Sequence, residues 1–310
     1  MAPIVAAGTR WREPALGLLY GTLPAQERAS QMAQMQAAAR NGEISLDELL
    51  VAIVQEKVAA TSLTVHRPGG MAFLWPPVIA PGENPLLADQ LLASAASRLE
   101  SSESLYAQCL LEPQDAEGRE LLERGGFPYV TDVLLLSRQV DRLPLDAPRT
   151  GLESTPYSPS EHAAYVRVVE ATFVETLDCS RLTEVRDAER SLTGHRAAGP
   201  FDPALWRLFR IGAAEVGVLL AVDHADSGVR EILYLGVVPE ARGRGIGKGI
   251  LQSALRGARR DARQEMQVAV DAANHPARKV YRELGFREDR KMAVHLRLRH
   301  TPVRAANGLP

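Results

Sequence analysis

A glycine-rich turn in the C-terminal half constrains the fold of this 310-residue chain more than any other segment. Residues 235–249 read Leu-Gly-Val-Val-Pro-Glu-Ala-Arg-Gly-Arg-Gly-Ile-Gly-Lys-Gly: an apolar segment, the turn, and the start of a helical pattern. Gly243, Gly245 and Gly247 lack a Cβ atom, so a ligand can approach the backbone closely. Because helix N-termini carry a partial positive charge, the pattern predicts a strand, a pyrophosphate-binding turn and a helix.

Two better-known phosphate-binding motifs do not fit this spacing. A dinucleotide-binding fingerprint requires Gly-x-Gly-x-x-Gly, but its last position would fall on Lys248 or Ile250. A Walker loop requires Ser or Thr directly after Gly-Lys, and here Gly249 follows Lys248. The turn therefore belongs to neither of these two classes of nucleotide-binding site.

Three short motifs in the C-terminal half occur in the order and spacing of one enzyme family. They are Arg-x-x-Gly-x-Gly, Asn-x-x-Ala and Tyr-x-x-x-Gly-Phe, at residues 242–247, 274–277 and 281–286. On these motifs the chain resembles the GCN5-related N-acetyltransferases, the GNAT superfamily. The resemblance implies an α/β fold and the transfer of an acetyl group from acetyl-CoA to a primary amine, on a small molecule or a peptide, by direct attack through a tetrahedral intermediate.

The resemblance also implies which residues hold acetyl-CoA. The backbones of Val237 and Val238, on the strand before the turn, are expected to bind the pantetheine, with the Val238 N–H as the oxyanion donor. Asn274 is expected at the CoA arm. The residues expected around the pyrophosphate are Arg242, Gly243, Arg244, Gly245, Ile246, Gly247 and Lys248.

Two residues are predicted to be catalytic. Tyr281 stands at the family's general-acid position and is expected to protonate the leaving thiolate. Glu231 lies eleven residues before Arg242, where histone-type members have a glutamate, and is the predicted general base. Other interpretations stay open: the base is Tyr234, His224 or an ordered water, or Tyr281 and Glu231 are core and solvent residues of a non-catalytic acyl-CoA sensor or binding module.

Acceptor recognition is expected from the segment 176–179 and from the loop to residues 194–196. Asp178 either pairs with a cationic amine or is simply solvated, and Cys179 either lines the acceptor pocket or packs in the interior. The sequence does not name the acceptor.

The N-terminal half repeats the plan of the C-terminal half. Gly126-Phe127 lies 159 positions before Gly285-Phe286, since 285 − 126 = 159, and the same offset carries 86–98 onto 245–257. This predicts a tandem duplication of two GNAT-like domains, each a mixed, mostly antiparallel sheet flanked by helices. In architecture it resembles the tandem-domain branch of the family that includes mycothiol synthase.

The N-terminal copy is predicted to be degenerate. Glu83, Leu86 and Ala88 stand where Arg242, Gly245 and Gly247 stand in the other copy, while Asp115 replaces Asn274 and Leu122 replaces Tyr281. An acidic residue repels phosphate and two Cβ atoms keep it off the backbone. The copy is therefore expected to have a structural or substrate-shaping role.

Prolines mark the boundary between the copies. The predicted limits are a degenerate domain at 1–142, a linker at 143–157, an acetyl-CoA-binding domain at 158–300 and a tail at 301–310. The second domain is expected to open on a helix whose N-terminus is a capping box, from Ser158 to Glu161.

Composition bears on the location of the protein, on its metal content and on its binding partners. The net charge is −2 and no apolar run reaches the ~20 residues that span a bilayer, so a cytoplasmic protein without a membrane partner is expected. Cys109 and Cys179 lack metal-ligand spacing, so no metal is expected. An arginine run at 256–263 is interrupted by Asp261 and lacks aromatic residues, which argues against nucleic acid. A monomer or weak homodimer is expected, because the two copies could pack like a dimer.

Overall fold

The computed structural model describes residues 3–140, 151–224 and 226–299. The predicted tail, and residues 143–150 of the predicted linker, lie outside the described residues. The chain divides into two compact units: one comprises Met1–Tyr129 and the segment that begins at Val294, and the other is Val130–Ala293. Within the described residues there are eight α-helices and twelve strands, and none of these helices is long and apolar enough to cross a membrane.

The first unit contains an antiparallel run of strands covered by helices. In chain order its elements are β1 (Ile4–Ala6), α1 (Thr9–Leu19), α2 (Ala25–Arg40), β2 (Leu49–Val54), β3 (Lys57–Arg67), β4 (Met71–Ile79), α3 (Leu86–Glu100), β5 (Tyr106–Leu111) and α4 (Ala116–Arg124). Strands β1 to β4 pair antiparallel in sequence order, and β4 pairs with β5 in parallel. Its core lies between α1 and strands β2 and β3 and includes Leu16, Leu49 and Leu63, all fully buried.

The second unit repeats this arrangement. Its elements are β6 (Tyr129–Gln139, whose first residue belongs to the other unit), β7 (Glu153–Pro156), α5 (His162–Phe173), α6 (Ala188–Arg196), β8 (Arg207–Ile211), β9 (Ala214–His224), β10 (Val229–Val237), α7 (Ile246–Arg260), β11 (Glu265–Asp271), α8 (His275–Glu283) and β12 (Arg287–Leu298, which ends in the other unit). The strand order is β6-β11-β10-β9-β8-β7. Only β10 and β11 run parallel in this series.

The offset of 159 residues holds for the three-dimensional elements. It carries α4 onto α8 residue for residue, and Gly126, with φ of 80°, onto Gly285, with φ of 81°. Asp115 and Asn274, which correspond by the same offset, each cap the helix that follows them. The predicted α/β class and the two tandem copies are confirmed.

The compact units do not follow the linear order of the chain. Strand β6 belongs to the N-terminal copy by sequence, yet from Val133 to Gln139 it pairs antiparallel with β11 of the second unit. Strand β12 belongs to the C-terminal copy, yet from Val294 onward it lies in the first unit. The predicted domain limits at residues 142 and 158 stay predictions, because the two compact units exchange these strands and do not correspond to two continuous stretches of sequence.

The expected capping box at the start of the second domain is wrong. Residues Pro159–Glu161 form a 3₁₀ turn, and α5 begins at His162. The Ser158 hydroxyl bonds the hydroxyl of Ser160, 2.9 Å away, and not a backbone N–H. Glu161 pairs instead with Arg210 on β8, so the carboxylate that would complete the box is used in a tertiary ion pair.

One irregularity opens the second sheet. Residues Val229–Ile232 of β10 pair with residues Glu265–Val268 of β11. Beyond these residues the two strands continue but no longer pair with each other. A bulge between Ile232 and Tyr234 shifts the register of β10 against β9 at the same point. The carboxyl ends of two neighbouring parallel strands therefore separate, which is where α/β folds place their ligands.

Candidate active site

The open edge of β10 presents two backbone N–H groups to the gap between the strands. Val238 N–H donates to Val216 O on β9 at 3.2 Å, so residue 238 bonds towards β9. Residues of an antiparallel strand alternate in direction, so the N–H groups of Leu235 and Val237 point away from β9, towards the gap. The N–H of Val238, the predicted oxyanion donor, is thus used within the sheet, whereas Leu235, which was not among the predicted residues, has its N–H on the open edge.

The turn after β10 leaves a row of backbone donors unused. Gly243 and Gly245 have φ angles of 70° and 74°, a left-handed conformation that favours glycine. Among the residues that the structure describes, no group accepts a hydrogen bond from the N–H groups of 243–248, and the first bond of α7 runs from Gly249 N to Gly245 O at 3.1 Å. Free N–H groups at a glycine-rich helix N-terminus fit a pyrophosphate.

The corresponding turn of the first unit satisfies its own donors. Asn84 accepts the N–H of Leu86 through Oδ1 at 3.0 Å and that of Leu87 through its carbonyl at 3.1 Å. Pro85 has no N–H, and its carbonyl accepts the N–H of Ala88 at 3.1 Å. Three N–H groups of this helix end, those of residues 86–88, are therefore used within the protein, in line with the predicted degeneracy.

The three cationic residues predicted at the turn have different surroundings. The Arg242 guanidinium donates to the carbonyl oxygens of Val237 at 3.1 Å and Thr172 at 3.0 Å, so it holds the turn against the end of α5. Lys248 pairs with Glu283 of α8 at 3.1 Å. Arg244 is exposed and, within the described part of the chain, has no ion pair. Arg244 is therefore the cation available to a phosphate.

Tyr281 and Asn274 lie where β11 leads into α8. Asn274 accepts the N–H of Ala277 at 3.1 Å and so caps the helix, while its Nδ2 donates to Asp178 Oδ1 at 3.1 Å. Tyr281 is 6% exposed and packs edge-on against Phe286. Burial, and secondly the charge of Asp178, raise the pKa of Tyr281 far above its usual range, so the phenol stays protonated. Its hydroxyl has no hydrogen-bond partner among the described residues.

Glu231 forms a pair with one of the alternative bases. His224 Nε2 lies 2.9 Å from Glu231 Oε2, and both side chains are partly exposed. Glu231 stands opposite Gln267, one residue before the last parallel pair of β10 and β11. A carboxylate hydrogen-bonded to an imidazole, at the base of the gap, can accept a proton from an amine. The sequence named both residues but not their contact.

Tyr234, another alternative base, is held by neighbours. Its hydroxyl lies 2.6 Å from Thr172 Oγ1, and burial raises its pKa. The ring of His195 lies 5.5 Å from the ring of Tyr234, and burial lowers the pKa of His195 to about 4. These groups are neutral at pH 7, so this part of the site contributes shape and hydrogen bonds without charge.

Asp271 joins the predicted acceptor segment to the end of β11. Its Oδ2 accepts the N–H of Cys179 at 2.9 Å, and its Oδ1 accepts from Thr131 at 2.8 Å and from Ala273 N at 2.7 Å. Asp271 was not among the predicted site residues. A signal was present, because Asp271 ends the apolar run of β11 with a buried carboxylate, which requires partners.

Comparison with known proteins agrees with this geometry. Residues 192–286 match the Acetyltransferase (GNAT) family. This segment belongs to the GNAT family, and the chain is an acyl-CoA-dependent N-acetyltransferase with tandem GNAT architecture.

Relatives and solved structures resemble the whole chain. A protein of Streptomyces coelicolor named "Mycothiol acetyltransferase" is 27% identical over 82% of this chain and 79% of its own length. A GCN5-related N-acetyltransferase from Sphaerobacter thermophilus has a TM-score of 0.65 at 20% identity, over 97% of this chain and 96% of its own. A tandem GNAT protein from the clavulanic acid biosynthesis pathway has a TM-score of 0.55 at 15% identity, covering 97% of this chain and all of its own. These structures share the fold in both copies.

Proposed function

We propose that the second unit binds acetyl-CoA in the gap between β10 and β11 and transfers its acetyl group to a primary amine by direct attack. The observation that carries the proposal is the row of unpartnered N–H groups at 243–248, directly after the strand whose open edge faces the gap. The pyrophosphate would bind these groups and Arg244, and the pantetheine would lie along the backbone of Leu235 and Val237.

Acetyl-CoA supplies a thioester whose carbonyl carbon accepts the amine and whose sulfur leaves as a thiolate. The Leu235 N–H, on the open edge of β10, would donate to the oxyanion that forms at this carbon. The C–N bond forms first and gives the tetrahedral intermediate, and the C–S bond breaks when this intermediate collapses. Tyr281 would give its phenolic proton to the departing sulfur and regain one from solvent. The amine's proton would pass to Glu231, with which His224 is hydrogen-bonded.

The first unit takes no part in the chemistry under this proposal. At its helix N-terminus, Asn84 and the carbonyl of Pro85 accept the N–H groups of residues 86–88, and Leu122 stands in place of Tyr281. One acetyl-CoA per chain is therefore expected.

Calorimetric titration of acetyl-CoA into the full chain, combined with a free-thiol assay over a panel of amines, tests the proposal. Because relatives are named mycothiol acetyltransferase, the deacetylated form of mycothiol belongs in that panel, beside alkyl amines and peptides. One site per chain with thiol release for some amine supports the proposal. Two sites per chain contradict the closed first unit, and tight binding without thiol release for any amine favours an acyl-CoA sensor.

A further inference from the structure

The segment between α5 and α6 is tied to both sides of the gap. On the β10 side, Arg242 donates to the carbonyl oxygens of Thr172 and Glu175, at 3.0 and 3.4 Å. On the β11 side, Asp271 accepts the N–H of Cys179 at 2.9 Å. The segment 172–179 therefore crosses the carboxyl ends of the two separated strands, at the place where an acceptor must approach the thioester.

Asp178 is the carboxylate that this segment carries into the site. Asn274 donates to its Oδ1 at 3.1 Å, and Arg186 donates to its backbone carbonyl, so both its side chain and its backbone are held. Its Oδ2 has no partner among the described residues, and no cationic side chain of the described chain forms an ion pair with it. The charge of Asp178 also acts on two hydroxyls of the site, those of Tyr281 and Tyr234, where it adds to the effect of burial on the pKa.

A carboxylate oxygen that no protein group uses can accept a charge-assisted hydrogen bond from a cationic ligand. The neighbouring Asp271 carboxylate is fully used by Thr131, Cys179 and Ala273, whereas Asp178 keeps one oxygen open. The open oxygen lies on the segment that crosses the gap, beside the proposed general acid. The Arg186 guanidinium donates to the backbone carbonyl of Asp178, so a positively charged ligand can pair with the open carboxylate oxygen.

We propose that Asp178, positioned by Asn274, is the subsite for a positively charged group of the acceptor. This inference rests on the proposed function and names its substrate class: alkyl amines that are protonated in solution, in preference to aryl amines and hydroxylamines, which are neutral at the same pH. The ammonium group binds Asp178 on arrival and loses one proton to solvent before the neutral nitrogen attacks, whereas an acceptor without charge lacks this contact.

The test is the substitution Asp178→Asn, which removes the charge but keeps an oxygen that can accept from Asn274. Steady-state kinetics at pH 8 compare the best alkyl amine of the panel with a neutral aryl amine. We expect KM for the alkyl amine to rise about 10- to 100-fold, as for the loss of one charge-assisted hydrogen bond, with kcat changed only a few-fold. KM for the aryl amine is expected to stay unchanged.

Glu170→Gln is the matched control, because it removes the same charge from an exposed position of α5, outside the expected acceptor segment. The thermal midpoint and acetyl-CoA affinity of both variants show whether the fold is kept. An unchanged KM for the alkyl amine in Asp178→Asn overturns the subsite and leaves the proposed function standing. An equal rise for both amines also overturns it, since Asp178 would then act through the loop and not through its charge. If the unaltered chain binds acetyl-CoA but acetylates no amine, the proposed function fails first.

Discussion

Substitution of Gly247 by alanine should change stability and cofactor affinity in opposite directions. Gly247 is the second residue of α7, and a Cβ there would meet only Val237 Cγ2, at the ordinary contact distance of 3.7 Å. Alanine restricts the unfolded chain, so the free energy of unfolding should rise by roughly 0.5–1 kcal/mol, or about 1–3 °C in the thermal midpoint. The variant is thus expected to fold well.

The same methyl group should weaken acetyl-CoA binding. Cα–Cβ bonds in a helix tilt towards the N-terminus, so the methyl would project towards the free N–H groups of 243–248. Loss of one hydrogen bond to a charged phosphate, about 1.5–3 kcal/mol, corresponds to a dissociation constant roughly 10- to 100-fold higher. Calorimetry on Gly247→Ala and on the unaltered chain measures this directly.

The first unit offers the inverse substitution as a control. Ala88 corresponds to Gly247 by the offset of 159 residues, and it is 4% exposed in α3. Ala88→Gly should lower the thermal midpoint and leave the affinity for acetyl-CoA unchanged, because the N–H groups of residues 86–88 are bonded within the protein. If Gly247→Ala is more stable but binds acetyl-CoA as tightly as the unaltered chain, the pyrophosphate does not lie at the N-terminus of α7 and the reasoning is refuted.

Three further predictions concern the titratable groups. Tyr281→Phe should keep the contact with Phe286 and lower kcat about 100-fold. Because the pKa of Tyr281 is raised, the unaltered enzyme should lose no activity through this group up to pH 10. A loss of activity near pH 10 would contradict this. Glu231→Gln should lower kcat more than His224→Gln at pH 7, measured as thiol release, and equal activity of all three proteins would remove Glu231 as the base. His195→Gln should make the stability of the fold less sensitive to acid. The pKa of His195 in the folded protein, about 4, lies below its unfolded value near 6.5, so protonation favours unfolding as pH falls from 6.5 to 4. The thermal midpoint should therefore fall less across this pH range in the variant.

The sequence was sufficient for the parts of the fold and site that are local in the chain. The glycine positions locate the turn because the motif lies within a few positions, and the offset of 159 residues locates both copies because short local patterns recur in each half. The oxyanion donor could not be assigned in this way. The bulge between Ile232 and Tyr234 decides which N–H groups of β10 face the gap, and no residue type in the strand announces it.

The contacts of the acceptor segment join distant parts of the chain. Asp178 and Asn274 are 96 positions apart, and Cys179 and Asp271 are 92 apart, so nothing in a window of sequence connects them. The placement of β6 and β12 is hidden for a different reason. The two strands correspond by the same offset and carry similar apolar patterns, so the sequence alone does not say which unit each one joins.

The two copies show that function in this fold depends on how the N–H groups of one helix end are satisfied, more than on the helix itself. Helices α3 and α7 have the same length and the same place after a strand that separates from its parallel neighbour. In α3 three of the donors are bonded by Asn84 and the carbonyl of Pro85, whereas in α7 two glycines are left-handed and no group of the described residues accepts from the donors at 243–248. Glycine at positions 86 and 88 alone would therefore not recreate a phosphate site in the first unit, because Asn84 would still accept two of the N–H groups and Pro85 would still lack one.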